Sequence, residues 1–169
     1  NARLFQETQR RVEEQTVLFQ LAQSLSSQLN IAQVLQRIYA GATQLIDTAN
    51  FYVGLYDPVR HEVDFVLNAS QSVIDQNITT ISAEQGMTGY IIRTRQSLLL
   101  KDNADEWLAD QGLKRVGEAA KSWLGVPMML GDQVMGVLAV QNYTTPRAYS
   151  EHDRDLLQVF GAQAAIAIR

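Results

Sequence analysis

The spacing of apolar side chains puts helices at both ends of the chain and strands between them. Residues 1–29 carry a helical pattern of two characters. To about Thr16 the segment is charged and Gln-rich, with Leu4, Phe5 and Val12 as its large apolar side chains; from Val17 to Leu29 it is dense in Leu, Val and Phe. Phe5, Val12 and Phe19 stand seven apart, with Thr8, Gln15 and Ala22 at the companion positions. That spacing fits either a weak coiled-coil seam or a solvated helix that packs only at its far end. Asn30, with Gln33 three residues on, reads as the cap of a second helix, and Leu29 as a staple onto Val34. The stripe Ile31, Val34, Leu35, Ile38, Ala42, Leu45 and Ile46 then recurs at helical spacing, which predicts one buried face.

Alternation replaces this period after Asn50. Phe51, Val53 and Leu55 are apolar while Tyr52 and Tyr56 carry polar tips on the other face, predicting a strand to Tyr56. Asp57-Pro58 turns the chain. Val63, Phe65 and Leu67 alternate with Asp64, Val66 and Asn68 in a second strand, and Ile78–Ser82 reads as a third. GMTGYIIRT, residues 86–94, reads as a short helix, and Leu98–Lys101 as a fourth strand. Between 102 and 120, acidic residues surround Trp107, and Gly112 and Gly117 interrupt any helix. This stretch reads as a mobile cover with one aromatic anchor. SWLGVPMML and QVMGVLAVQN then meet at Gly131-Asp132. The pair suits a type II′ hairpin, because glycine takes the positive φ of the first central position. Pro127 cannot donate to a ladder, so an edge or a bulge is expected there. Ser150 and Asp153 form a capping box for a last helix. After Leu156 that helix is apolar on most sides: one side should face the sheet, the other a partner from this chain or a second copy.

Strands joined by tight turns predict an antiparallel sheet. Long helices at both sequence ends place one helical layer on one face, leaving the irregular 84–120 segment over the other. The fold class is therefore α+β, and a pocket under that cover is the default ligand site. The chain has 169 residues, 46% hydrophobic and 19% charged, enough for one real core. Its net charge of −4 gives no basic excess to attract nucleic acid or an anionic membrane. No apolar run is long enough to span a bilayer, no signal-peptide pattern opens the chain, and a cytoplasmic setting is expected. The lack of an initiator Met and the ending AIAIR suggest a piece of a longer protein. Cysteine is absent, which excludes disulfides, thiolate nucleophiles and cysteine-ligated zinc.

Four stretches in order, GMTGYIIRTRQSLLLKDN, SWLGVPMML, GVLAVQN and YSEHDRDLLQVFGAQAAIAI, resemble the GAF domain, a ligand-sensing module of signalling proteins. The likeness covers roughly residues 24–169, and residues 1–23 resemble the linker helices between modules of bacterial sensor histidine kinases. The resemblance implies a six-stranded antiparallel sheet of order 3-2-1-6-5-4, terminal helices in one layer that commonly dimerise, and a pocket under the short middle helices. Bilin-binding and methionine-sulfoxide-reducing members need cysteines, so neither chemistry is expected. Haem-binding members use a histidine, but His61 falls in a turn and His152 in the first turn of the last helix, where both read as solvated. Cyclic-nucleotide-binding members carry an Asn-Lys pair, then Phe, then Asp-Glu. Asn142 and Asp153 match, but Tyr143, Tyr149 and Arg154 replace the Lys, Phe and Glu, which argues against a cyclic nucleotide. No cofactor is expected.

Tyr52, Tyr90, Trp107, Trp123 and Gln141 are the candidate ligand-binding residues, since Tyr and Trp give an apolar wall with a polar tip. Tyr52 and Gln141 should lie close if the first and last strands pair, as the resemblance implies. Each of the five also reads as ordinary core. Gly86–Gly89 lacks the spacing and the Lys of a phosphate loop. Asp102, Asp105, Glu106 and Asp110 follow no calcium-loop pattern. Ser122 and Ser150 have no credible base beside them. The expected function is a non-enzymatic sensory module that binds an unidentified small molecule. It would signal through dimerised terminal helices to a linked output domain, a histidine kinase. The alternative is a ligand-free structural dimerisation module. Neither nucleic acid nor membrane is an expected partner.

Overall fold

The structure is a computed structural model describing residues 2–27, 31–75 and 77–168; the side chains of residues 19–27 and 75 are outside the description. In chain order the elements are α1 (Ala2–Ser27), α2 (Ile31–Thr43), β1 (Phe51–Asp57), β2 (Glu62–Ser70), β3 (Val73–Asp75), β4 (Thr79–Ser82), α3 (Gly86–Thr94), β5 (Leu98–Leu100), α4 (Ala104–Asp110), β6 (Ser122–Leu130), β7 (Gln133–Asn142) and α5 (Glu151–Ile168). The Asn30 cap and its Leu29 staple lie outside the described residues.

The strands form one antiparallel sheet in the order β3-β2-β1-β7-β6-β5, with β4 also on β2. The expected six-strand order holds with one amendment: two short strands share the outer edge of β2. β3 pairs with its end at Asn68–Ser70 and β4 with its beginning at Glu62–Phe65. The β2–β3 turn hides this in the sequence. Gln71 and Ser72 both take positive φ, 51° and 65°, the backbone of a type I′ turn that usually selects Asn or Gly. Asn50 Oδ1 holds it by accepting the Gln71 N–H at 3.1 Å.

Both faces of the sheet are buried. Phe51, Val53, Leu124, Val126, Leu138 and Val140 pack toward Val34 and Leu35 of α2 and Leu157 and Ala164 of α5. Trp123, Val137, Ala139 and Val63 face the other way, into a cluster with Ile91 and Ile92 of α3 and Ala104 of α4. Central β7 therefore reads as an unbroken apolar run, VLAV, with alternate residues on opposite faces. The predicted alternation in β2 fails at one point. Val53 pairs with Leu67 but Gly54 with Phe65, leaving Val66 as the extra residue of a β-bulge. Phe65 thus faces α3 and α4, whereas Leu67 faces the helical layer.

The hairpin at residues 131–132 has the expected φ signs: Gly131 is at +61° and Asp132 is not positive. Pro127 lies beyond Gly125, the last residue of β6 that β5 covers, so β6 is an edge there. The capping box of α5 forms in full. Ser150 N–H donates to Asp153 Oδ2 at 2.9 Å, and Asp153 N–H donates to Ser150 Oγ at 3.2 Å. The stripe on α2 is shorter than its pattern. The helix ends at Thr43, and Leu45 beyond it is exposed.

The segment 102–120 is more ordered than its composition suggests. Ala104–Asp110 is helical and ends in a Schellman motif: Gly112 N–H donates to Ala109 O at 3.0 Å and Leu113 N–H to Leu108 O at 2.9 Å. Gly112, at φ +69°, terminates this helix rather than preventing it.

Candidate functional site

A cavity of about 230 Å³ lies between the sheet and its second cover. Tyr52 of β1, Asn68 and Ser70 of β2, Trp123 of β6 and Gln141 of β7 line its sheet side. The start of α3, from Gln85 to Thr88, and the segment 115–118 line the other. The bulge at Val66 sets its polarity. Past that extra residue the alternation flips, so Leu67 joins the helical core while Asn68 and Ser70 turn to the cavity; Ala69 packs in the helical core and still borders the cavity. An unbulged strand would have sent apolar Leu67 there instead.

Tyr52 occupies the middle of the sheet wall. Its ring meets Phe65 edge-on at 5.1 Å, and its hydroxyl is 3.0 Å from Thr88 Oγ1 on α3. Burial pushes this phenol well above its ordinary pKa, so it remains a hydrogen-bonding hydroxyl. Trp123 owes its place to Gly125. A Cβ at position 125 would clash with the far edge of the indole and come within 2.8 Å of Ile91 Cδ1. The missing side chain lets the ring lie along the sheet. Tyr143 closes one end, its phenol raised by burial first and by the Glu118 carboxylate second. Arg115, across the cavity, donates to Asp105 Oδ2 of α4 at 2.9 Å and so ties the covering segment down.

Of the five residues expected at the site, Tyr52, Trp123 and Gln141 line one cavity. β1 and β7 pair antiparallel, with Tyr52 opposite Ala139, which puts Gln141 two residues on along the same face. Tyr90 and Trp107 do not line it. Their rings pack on each other edge-to-face at 4.8 Å, joining α3 to α4, and Arg93 lies 5.6 Å above the Tyr90 ring. Asn50, Asn68, Ser70, Gln85 and Thr88 were not among the expected residues. The pattern in β2 concealed two of them; the Gly112 cap signal would have revealed α4 and hence the cover.

The remaining candidates take structural roles. Ser122 is fully buried; its hydroxyl donates to Thr145 O at 3.0 Å and accepts the Ala148 N–H at 3.3 Å. Asn142 Oδ1 accepts the Thr144 and Thr145 N–H groups at 2.9 and 2.8 Å. Asp153 belongs to the α5 cap. His61 bonds Tyr56 Oη through Nδ1 at 3.0 Å, and His152 is exposed. Among the described residues no group of three or more His, Asp or Glu could hold a metal ion.

A model of the family described as the GAF domain matches residues 28–169. The chain belongs to the GAF family. Solved GAF structures share its fold. The GAF domain of an Acinetobacter phosphoenolpyruvate-protein phosphotransferase is 21% identical, with a TM-score of 0.65 and 92% of each chain covered. A methyl-accepting chemotaxis protein fragment is 18% identical, with a TM-score of 0.64 over 87% of this chain and 93% of that one. The fRMsr of Staphylococcus aureus in its reduced form is 17% identical, with a TM-score of 0.63 over 91% of this chain and 94% of that one. Identities this low establish the shared GAF fold alone.

Two measurements follow from the wall of this GAF cavity. Gly125→Ala should displace the Trp123 indole and cost about 1–3 kcal/mol in urea unfolding. In a Trp107→Phe background it should also shift the remaining Trp emission; unchanged stability and emission would mean the ring does not rest on Gly125. Tyr52 and Tyr149 are both pushed up by burial. Because the folded state holds these phenols protonated, their stabilising contribution is complete below the unfolded value of about 10 and declines as pH rises above it. In an alkaline absorbance titration, part of the phenolate signal should therefore lag behind pH 10 and emerge with unfolding. Tyr52→Phe and Tyr149→Phe should each reduce that lagging amplitude.

Proposed function

We propose that this GAF domain is a non-enzymatic sensory or regulatory module of a larger bacterial signal-transduction protein. It binds a small molecule in the cavity on Tyr52 and Trp123 and passes the binding event to its terminal helices. The supporting observation is a single sheet with a polar-lined cavity on one face and helices α2 and α5 on the other. β6 and β7 contribute to both sides, Trp123 and Gln141 to the cavity and Leu124 and Val140 to the helical core.

The helices leave apolar surface in solvent. On α1, Leu4, Phe5, Val12, Val17 and Leu18 are exposed, and on α5 Val159 and Ile166. Phe5 and Val12 keep the seven-residue spacing of a seam; the side chain of Phe19 lies outside the description. A homodimer through the terminal helices would bury this surface. Its output is a covalently linked domain, a histidine kinase in our reading. The chemotaxis protein among its structural likenesses is in keeping with signalling. Against an enzyme stands the absence of cysteine from the sequence, because the reductase chemistry of the family depends on it. We place the module in the cytoplasm with neither nucleic acid nor membrane as partner and with no cofactor. No described helix is long and apolar enough to cross a membrane. The alternative, a dimerisation module with no ligand, would be favoured by Tyr90, Trp107 and Trp123 filling the pocket. Tyr90 and Trp107 pack outside it.

The cysteine-free chain makes the test direct. A single Gln9→Cys spin label on each protomer reports the distance between two α1 helices in a dimer. Titration calorimetry against a metabolite panel supplies the ligand. The reading predicts an inter-protomer distance that shifts by about 1–2 Å or more when the hit is added. A distance that stays fixed under saturating ligand would leave only the dimerisation role, and the absence of any such distance would remove both.

A further inference from the structure

Resting on the sensory reading of this cavity, we infer that its ligand is uncharged and planar, and that it carries an amide-like pair of N–H and C=O groups. Size comes first. About 230 Å³ is below the roughly 300–1,000 Å³ of drug-sized pockets. It suits a ring of one or two cycles, not a nucleotide or a tetrapyrrole. The wall is flat where Trp123 lies along Gly125, and Tyr52 and Phe65 meet it as an aromatic pair.

Charge comes second. Arg115 and Glu118 are the charged residues lining the cavity among those described. The Arg115 guanidinium is paired through Nη1 with Asp105 at 2.9 Å, so its charge is already shared with a carboxylate. Glu118 adds a negative charge at the same wall. A carboxylate or phosphate entering here would meet a single cation, already shared with Asp105, and the negative charge of Glu118.

The polar groups supply the positive half of the inference. The Tyr52 and Thr88 hydroxyls satisfy each other, and Asn50 Oδ1 holds the β2–β3 turn. Beside the Ser70 and Tyr143 hydroxyls, three carboxamides remain, Asn68, Gln85 and Gln141, with no side-chain hydrogen bond among the described residues. They come from β2, from the residue before α3 and from β7, so they approach the cavity from different elements. A carboxamide presents a donor and an acceptor side by side and pairs twice with a group of the same kind. Three of them around a flat apolar wall match a lactam, a ureide or an aromatic carboxamide better than any ion.

Matched probes isolate the charge. Benzamide against benzoate, and nicotinamide against nicotinate, are titrated into the full chain by calorimetry and ligand-observed NMR. At least one amide should bind at least tenfold more tightly than its carboxylate, and Gln141→Leu or Gln85→Leu should bring that ratio toward one. Gln85 is exposed, so its variant tests the contact without risk to the core. Equal or tighter binding of the carboxylates overturns the inference, as does a ratio unchanged in both variants. Failure of both amides to bind up to their solubility limits overturns it too. A charged ligand that copurifies with the protein and moves the α1 label distance would sink this ligand class while leaving the sensory role intact. A fixed distance would sink the sensory role whichever probe binds.

Discussion

A sheet with apolar side chains on both faces cannot leave either face in water. That constraint organises this molecule. In β7, Leu138 and Val140 point one way and Val137 and Ala139 the other, and all four are fully buried. Each buried Leu or Val side chain is worth roughly 1.5–3 kcal/mol once covered, so an uncovered face would forfeit much of the stability of a domain this size. One cover is a regular helical layer, α2 and α5. The other must be assembled from short pieces, α3, α4 and the segment up to the start of β6. Short pieces pack less completely than long helices, and the cavity lies among them. It follows from how the second face is covered.

The cavity is polar because one strand is irregular. The extra residue Val66 flips the alternation of β2 and puts Asn68 and Ser70, in place of Leu67, on the cavity side. Gly125 performs the complementary task, leaving room for an indole to lie flat. One inserted residue and one missing side chain thus give the wall its mix of flat apolar surface and carboxamides.

The large periodic elements were legible in the sequence: the long helices, the β6–β7 hairpin and the capping box at Ser150 and Asp153; the order of the long strands came from the resemblance to the GAF domain, not from periodicity. Tyr52, Trp123 and Gln141 were legible as cavity-lining residues because each sits in a strand whose alternation holds. Other features depended on signals that periodicity does not carry. A bulge leaves no mark on an alternating pattern such as EVDFVLNAS, so Asn68 and Ser70 went unseen. β3 was hidden by a Gln-Ser turn whose left-handed backbone is held by Asn50 rather than by its own residues. α4 was hidden because Gly112 reads equally as a breaker and as a cap. Tyr90 and Trp107 were assigned to the pocket because aromatic content gives no direction, and their mutual contact turned them away from it.

The central claim is that the sheet is one wall shared by the cavity and the helical layer, so that a change on one side is felt on the other. Hydrogen exchange in an Ala120→Phe variant, which fills the cavity from its own lining, tests this without any ligand. The shared wall predicts altered amide exchange in α3 and also, severalfold, in α5 between Leu157 and Ala165, on the far side of β6. Exchange that changes in α3 and the 113–120 segment while α5 keeps its original rates would contradict it.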